Sequence, residues 1–187
     1  MKLFRHICWI GYNRSRALGG DETVSGIRFY SPGMPVKVAR TLTLLLVEDS
    51  PGDVRLTREA LRDSPVPLRL EVVSNGEDAL NFLYRRGQFA NSPRPDLILL
   101  DMNLPRVSGR QVLETIKQDP ELLVIPVLVM TTSRNPQDIL AAYRLQANSF
   151  IQKPVDLGQF LDVMKAIENF WLRLAVFPTL AAEADAR

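Results

Sequence analysis

From Thr41 onward the chain alternates two rhythms: short apolar runs that end on a charged or hydroxyl residue, and longer segments with apolar residues at helical spacing. Leu42-Thr-Leu-Leu-Leu46-Val47 runs straight into Glu48-Asp49, and Leu97-Ile-Leu-Leu100 runs into Asp101. Runs without polar alternation suit strands covered on both faces, as in the middle of a parallel sheet. Leu68 to Val73 alternates apolar and polar residues and predicts a half-exposed edge strand. Pro126 to Met130 and Asn148 to Gln152 read as fourth and fifth strands.

The segments between them carry helix punctuation. Ser50-Pro51-Gly52-Asp53 supplies a capping serine, a first-turn proline and an acid three residues on, opening a helix that runs to about Asp63. Asn75 to Tyr84 is a second helix, stopped by Gly87. Ser108 or Gly109 starts a third, with Val112, Leu113 and Ile116 on its apolar face and an end near Asp119-Pro120. Asn135-Pro136 caps and starts a fourth through Gln146, and Asp156 opens a long last helix. Five strand-helix repeats of this length imply an α/β fold, a doubly wound five-stranded parallel sheet with helices on both faces.

In such a sheet the carboxyl ends of the strands form the ligand-binding edge. Glu48, Asp49 and Asp101 stand there, and three carboxylates within a few ångströms repel one another unless a cation sits among them. A hard divalent cation with oxygen ligands, magnesium, resolves the repulsion.

Composition narrows the class. The 187 residues, 46% hydrophobic and 24% charged, describe an ordinary globular chain, and a net charge of +2 argues against dedicated nucleic-acid binding. The one cysteine, Cys8, excludes internal disulfides and agrees with a reducing cytoplasm. No apolar run approaches the roughly 20 residues of a membrane span. Residues 1–40 mix Gly, Ser, Arg and isolated aromatics without sustained period and read as a flexible leader, with Met34 as an alternative start. The expected division is a leader at 1–40, one domain at 41–178 and a tail at 179–187.

Acids after two strands, Thr131 after the fourth and Lys153-Pro154 after the fifth occupy separate strand-helix junctions. Together these motifs resemble the CheY-like receiver domains of bacterial response regulators. The resemblance implies strand order 2-1-3-4-5 and makes Asp101 the phosphoacceptor for a histidine kinase. It implies Mg2+ held by Asp49, Asp101 and the backbone carbonyl of Asn103, with Glu48 outside, through water. Lys153 pairs with Asp101 and then with a phosphoryl oxygen, and Pro154 marks the turn. Thr131, favoured by register over Thr132, moves its hydroxyl onto the phosphoryl group. Phe150 is either plain core or the aromatic that swings inward with it. Two other readings compete: a haloacid-dehalogenase-type phosphatase, which needs an acid where Asn103 stands, and a receiver fold used as a phosphorelay shuttle or unphosphorylated adaptor.

Only Pro178 to Arg187 follow the last helix, so the expectation is a stand-alone regulator, not itself an enzyme, whose output is a change of partner. Leu157, Leu161, Met164, Ile167, Trp171 and Leu174 form one apolar stripe expected to dock on the sheet. Val163, Ala166 and Phe170, extended by Phe177, form a second, which is either a subunit contact or a surface folded onto its own domain. The wording of Met130–Ile139, Gln152–Asp156 and Ala166–Leu172 is similar to the regulators of bacterial phytochrome kinases, which implies a homodimer through the last helix and tail.

Overall fold

A computed structural model describes residues 40–178. Apart from Arg40, the expected leader with its alternative start, and the expected tail, lie outside the described residues. Five strands, β1 (Leu42–Val47), β2 (Leu68–Val73), β3 (Leu97–Leu100), β4 (Val127–Thr131) and β5 (Ser149–Gln152), form one parallel sheet in the order β2-β1-β3-β4-β5. Five helices connect and follow them: α1 (Pro51–Leu61), α2 (Gly76–Leu83), α3 (Gly109–Gln118), α4 (Pro136–Arg144) and α5 (Leu157–Ile167). The fold is the doubly wound arrangement expected from the alternation of strand and helix patterns.

The unbroken apolar strands are explained by what covers them. Leu45, Val47, Ile98, Leu100, Val127 and Val129 face a core closed by Ala79 and Phe82 of α2, Val112, Leu113 and Ile116 of α3, and Ala142 of α4. Their neighbours Leu44, Leu46, Leu97, Leu99, Leu128 and Met130 face the opposite core, closed by Leu61 of α1 and by Phe160, Met164 and Ile167 of α5. Strand residues alternate between two dry faces, so no position on β3 can be polar without cost. Each fully buried aliphatic side chain contributes about 1.5–3 kcal/mol. β2, at the sheet edge, is only partly covered.

Helix starts follow their caps. Ser50 Oγ accepts the Asp53 N–H, Asn75 Oδ1 the Asp78 N–H, and Ser108 with Gln111 completes a reciprocal capping box. Two helix ends differ from expectation. α2 stops at Leu83, because Arg85 turns into the left-handed region at φ 53° and the Arg86 N–H donates to Asn81 O at 2.8 Å; Gly87 lies beyond, in a turn of 3-10 helix. α4 stops at Arg144, short of the expected Gln146, in the same way: Gln146 turns into the left-handed region at φ 61° and the Ala147 N–H donates to Ala142 O. Both are Schellman endings without glycine, closed by the carbonyls they satisfy.

The last helix docks through a face rotated from the expected stripe, which shares Met164 and Ile167 with it. Phe160, Met164, Ile167 and Leu172 are buried, whereas Leu157, Leu161 and Leu174 are exposed. At about 100° per residue, Phe160 lies near the centre of the Met164–Ile167 face and Leu161 about 90° from it. Beyond Ile167 the chain continues as a π-helical segment, Glu168–Leu174, with the Ala175 N–H donating to Phe170 O. Its wider turn carries burial from Ile167 to Leu172, five residues on, instead of to Trp171. Val163 and Phe177 are half-buried against the core of their own domain, so these two expected interface residues fold back onto the molecule. Phe170 stays 56% exposed and meets Trp171 edge-to-face.

Candidate functional site

Strand register brings the functional residues together. Val47 and Leu100 are paired on neighbouring strands and the Asp101 N–H donates to Val47 O, so Glu48 and Asp101 leave the sheet side by side. Thr131, the last residue of β4, is paired with Gln152, and the Lys153 N–H donates to Thr131 O at 2.8 Å. The four junctions singled out in the sequence therefore meet at one edge.

Glycines hold the loop after Asp101 close. A Cβ on Gly109 would lie 2.0 Å from the Asp101 carbonyl oxygen, and one on Gly76 would lie 2.0 Å from the Val107 carbonyl oxygen. The loop between β3 and α3 thus passes against backbone at both helix starts. Asp101 Oδ1 accepts the Asn103 N–H at 3.0 Å, which fixes one of its two oxygens.

The other oxygen belongs to Lys153. Lys153 Nζ donates to Asp101 Oδ2 at 2.6 Å, to Glu48 Oε2 at 2.6 Å and to Asp53 Oδ2 at 2.9 Å, so all three protons of the ammonium are used. Lys153, Glu48 and Asp101 are buried, and Asp53 is partly open to solvent. Burial by itself would lower the Lys153 pKa, but the bonds to Asp101, Glu48 and Asp53 outweigh it and the net shift is upward. Burial pushes Glu48 above the ordinary carboxylate range, against the opposing pull of Lys153 and of the Ser50 N–H on its Oε1. Asp53 escaped the sequence reading as a site residue because its capping position already accounted for it. The available signal was its place one turn into the helix that leaves the acidic pair.

Glu48, Asp49 and Asp101 each offer a carboxylate oxygen, all within 4.8 Å of one another. Asp49 is exposed and the other two are buried, so the donor set is anionic, all oxygen and open on one side, which fits a hard divalent cation that keeps several waters. Thr131 is fully buried and its Oγ1 accepts the Ser133 N–H at 3.3 Å; Thr132 is exposed, as the register predicts. Phe150 is half-buried on β5 and packs against the core shared with α2, α3 and α4. Pro154 follows Lys153 at the start of the loop into α5.

Residues 44–165 match the response regulator receiver domain. The chain belongs to that family. Receiver domains are the signalling regulators of two-component systems, and this one is 45% identical over 135 residues to the response regulator Rcp1 of Synechocystis, covering 72% of this chain and 92% of Rcp1. It superimposes on the crystal structure of the Mn2+-bound form of Rcp1 with a TM-score of 0.72 and 44% identity, over 74% of this chain and 99% of that one. The phosphorylated cyanobacterial phytochrome response regulator RcpA gives a TM-score of 0.73 and 46% identity, over 75% of this chain and all of RcpA (100%). The receiver fold, the role as a response regulator and an oxygen site suited to a divalent metal are thereby established.

Proposed function

We propose that this receiver takes a phosphoryl group onto Asp101 from a histidine kinase of the bacterial phytochrome type, in the cytoplasm, and that the phosphorylated form changes its protein partners. The observation that carries the reading is the buried Lys153 ammonium on Asp101 Oδ2 at 2.6 Å. A compact cation is held against the carboxylate that follows β3, a strand buried along its whole length. The likeness to Rcp1 and RcpA supports the kinase class.

Asp49, Asp101 and the backbone carbonyl of Asn103 would hold Mg2+, with Glu48 outside through water. When bound, the ion neutralises phosphoryl charge and aligns it for in-line attack. The chain's own residues do the rest. An Asp101 carboxylate oxygen bonds to phosphorus as the bond from phosphorus to the donor nitrogen breaks, the electron pair staying on the nitrogen. Lys153 supplies a proton-bearing point charge to a phosphoryl oxygen. The chain thus assists a transfer without turning over a substrate of its own.

The Thr131 hydroxyl is the switch because it already has a partner to give up. Its Oγ1 accepts the Ser133 N–H, and Ser133 Oγ in turn contacts Asp138 on the first turn of α4 at 2.6 Å. Drawing Thr131 toward a phosphoryl group releases the loop between β4 and α4, and Phe150, on the neighbouring strand, follows into the space. The assembled form is a homodimer through the end of α5 and the segment beyond, with Phe170 at the contact. Phosphotransfer from an autophosphorylated phytochrome kinase to wild type and to Asp101→Asn tests the assignment. Label passes to the wild type alone; label on Asp101→Asn at the wild-type rate would exclude Asp101 as the acceptor.

A further inference from the structure

Asp53 provides one of the three bonds that saturate Lys153. It differs from the other two partners in kind. Glu48 and Asp101 belong to the cluster of acids suited to a cation, and Asp101 is also the acceptor; Asp53 belongs to neither set. Its backbone is fixed independently, since its N–H donates to Ser50 Oγ at the start of α1. Its side chain is 30% exposed, while that of Lys153 is 6% exposed, so Asp53 reaches inward from the rim to a buried charge.

Resting on the proposed role of Asp101, we infer that Asp53 is a positioning residue for Lys153. It keeps the ammonium at the acceptor when Glu48 and Asp101 are engaged elsewhere. The need follows from the bond count. An ammonium has three donors and no acceptor. A phosphoryl group on Asp101 disturbs the bond from Asp101 to Nζ, and a cation among the acids draws on Glu48 as well, so with both present two of the three bonds that now hold Nζ weaken. Without Asp53 the lysine would then carry its charge on a flexible four-carbon stem with no protein anchor to aim it at the phosphoryl oxygen. With it, one bond anchors Nζ to the first turn of α1 while the other two protons turn to the phosphoryl oxygen and its neighbours. Exposure of Asp53 also makes this anchor reachable from solvent, unlike Glu48.

The experiment compares wild type, Asp53→Ala, Asp53→Asn and Asp101→Asn in two readouts: the rate of labelling by acetyl phosphate at saturating Mg2+, and the 15N resonance of the Lys153 ammonium without metal. Loss of one charge-assisted bond to the reacting lysine predicts about tenfold slower labelling in Asp53→Ala. The Lys153 resonance, sharp in the wild type because its protons are held, broadens in Asp53→Ala through exchange with water. Asp53→Asn keeps side-chain volume and an oxygen acceptor, so it restores most of the rate and the sharp resonance. Wild-type labelling by Asp53→Ala with an unchanged resonance would overturn the inference and leave the role of Asp101 intact. Equal slowing in Asp53→Asn and Asp53→Ala would also overturn it, because charge and not positioning would then be at work. No label on the wild type, with the resonance sharp, would overturn the reading of Asp101 and the inference with it.

Discussion

At the residue scale the site depends on backbone as much as on charge. Asp101 can leave β3 where it does only because Gly109 lacks a Cβ, and the 2.0 Å approach to the Asp101 carbonyl would force α3 or the loop after β3 to move. Gly109→Ala is expected to lower stability by about 1–3 kcal/mol in urea unfolding, the usual cost of overpacking, and to slow phosphorylation with it. Wild-type stability in that variant would show that the loop has slack. A second prediction lies away from the site. Lys117 Nζ donates to Leu123 O, Ile125 O and Asn148 Oδ1, all neutral, and burial holds its pKa below the ordinary lysine range. The folded chain therefore releases this proton at lower pH than the unfolded chain, which binds more protons across the window between the two values. Stability rises with pH there. Urea midpoints should show wild type gaining on Lys117→Met as pH climbs toward the ordinary lysine pKa; a constant difference would contradict the assignment. Asp101, Lys153 and Thr131 were legible in the sequence because each ends a strand. Asp53 was not, because a contact 100 residues away leaves no local pattern, and the oxygens around Lys117 were not, because two of them are backbone carbonyls that no side chain marks.

At the scale of elements, strands proved more legible than the last helix. A strand buried on both faces announces itself by unbroken hydrophobicity, and β1, β3 and β4 are buried along their whole length. An amphipathic helix with apolar residues over a wide arc does not say which part of the arc faces inward. Both Phe160 and Leu161 are apolar, and only packing separates them: Phe160 is 3% exposed and Leu161 38%. Phe160→Ala should cost about 3–5 kcal/mol by chemical denaturation, and Leu161→Ala much less. The reverse order would restore the stripe expected from periodicity. The π-helical segment after Ile167 was invisible for a related reason, since it alters the period on which the reading depends. Glycine-free endings at Arg85 and Gln146 were likewise hidden, because the Schellman bonds that stabilise them involve backbone alone.

At the scale of the whole molecule, the receiver is a rigid two-sided sheet with its chemistry on one edge and apolar side chains left exposed at one end. Phe170, Leu174 and Val176, at 56%, 50% and 96% exposure, follow one another beyond α5. Clustered exposed apolar residues mark association sites. Phe170→Glu should convert a dimer to a monomer in sedimentation while leaving phosphorylation of Asp101 at the wild-type rate; an unchanged mass would place the contact elsewhere. The central claim is that one buried, lysine-bonded aspartate at the end of β3 accepts phosphate with the help of a divalent ion. The most direct test is the intact mass of wild type and Asp101→Asn after acetyl phosphate, with and without Mg2+. A single phosphoryl adduct that requires Mg2+ and vanishes in Asp101→Asn is the predicted result. An adduct that persists in Asp101→Asn, or none on the wild type with Mg2+ present, would contradict it.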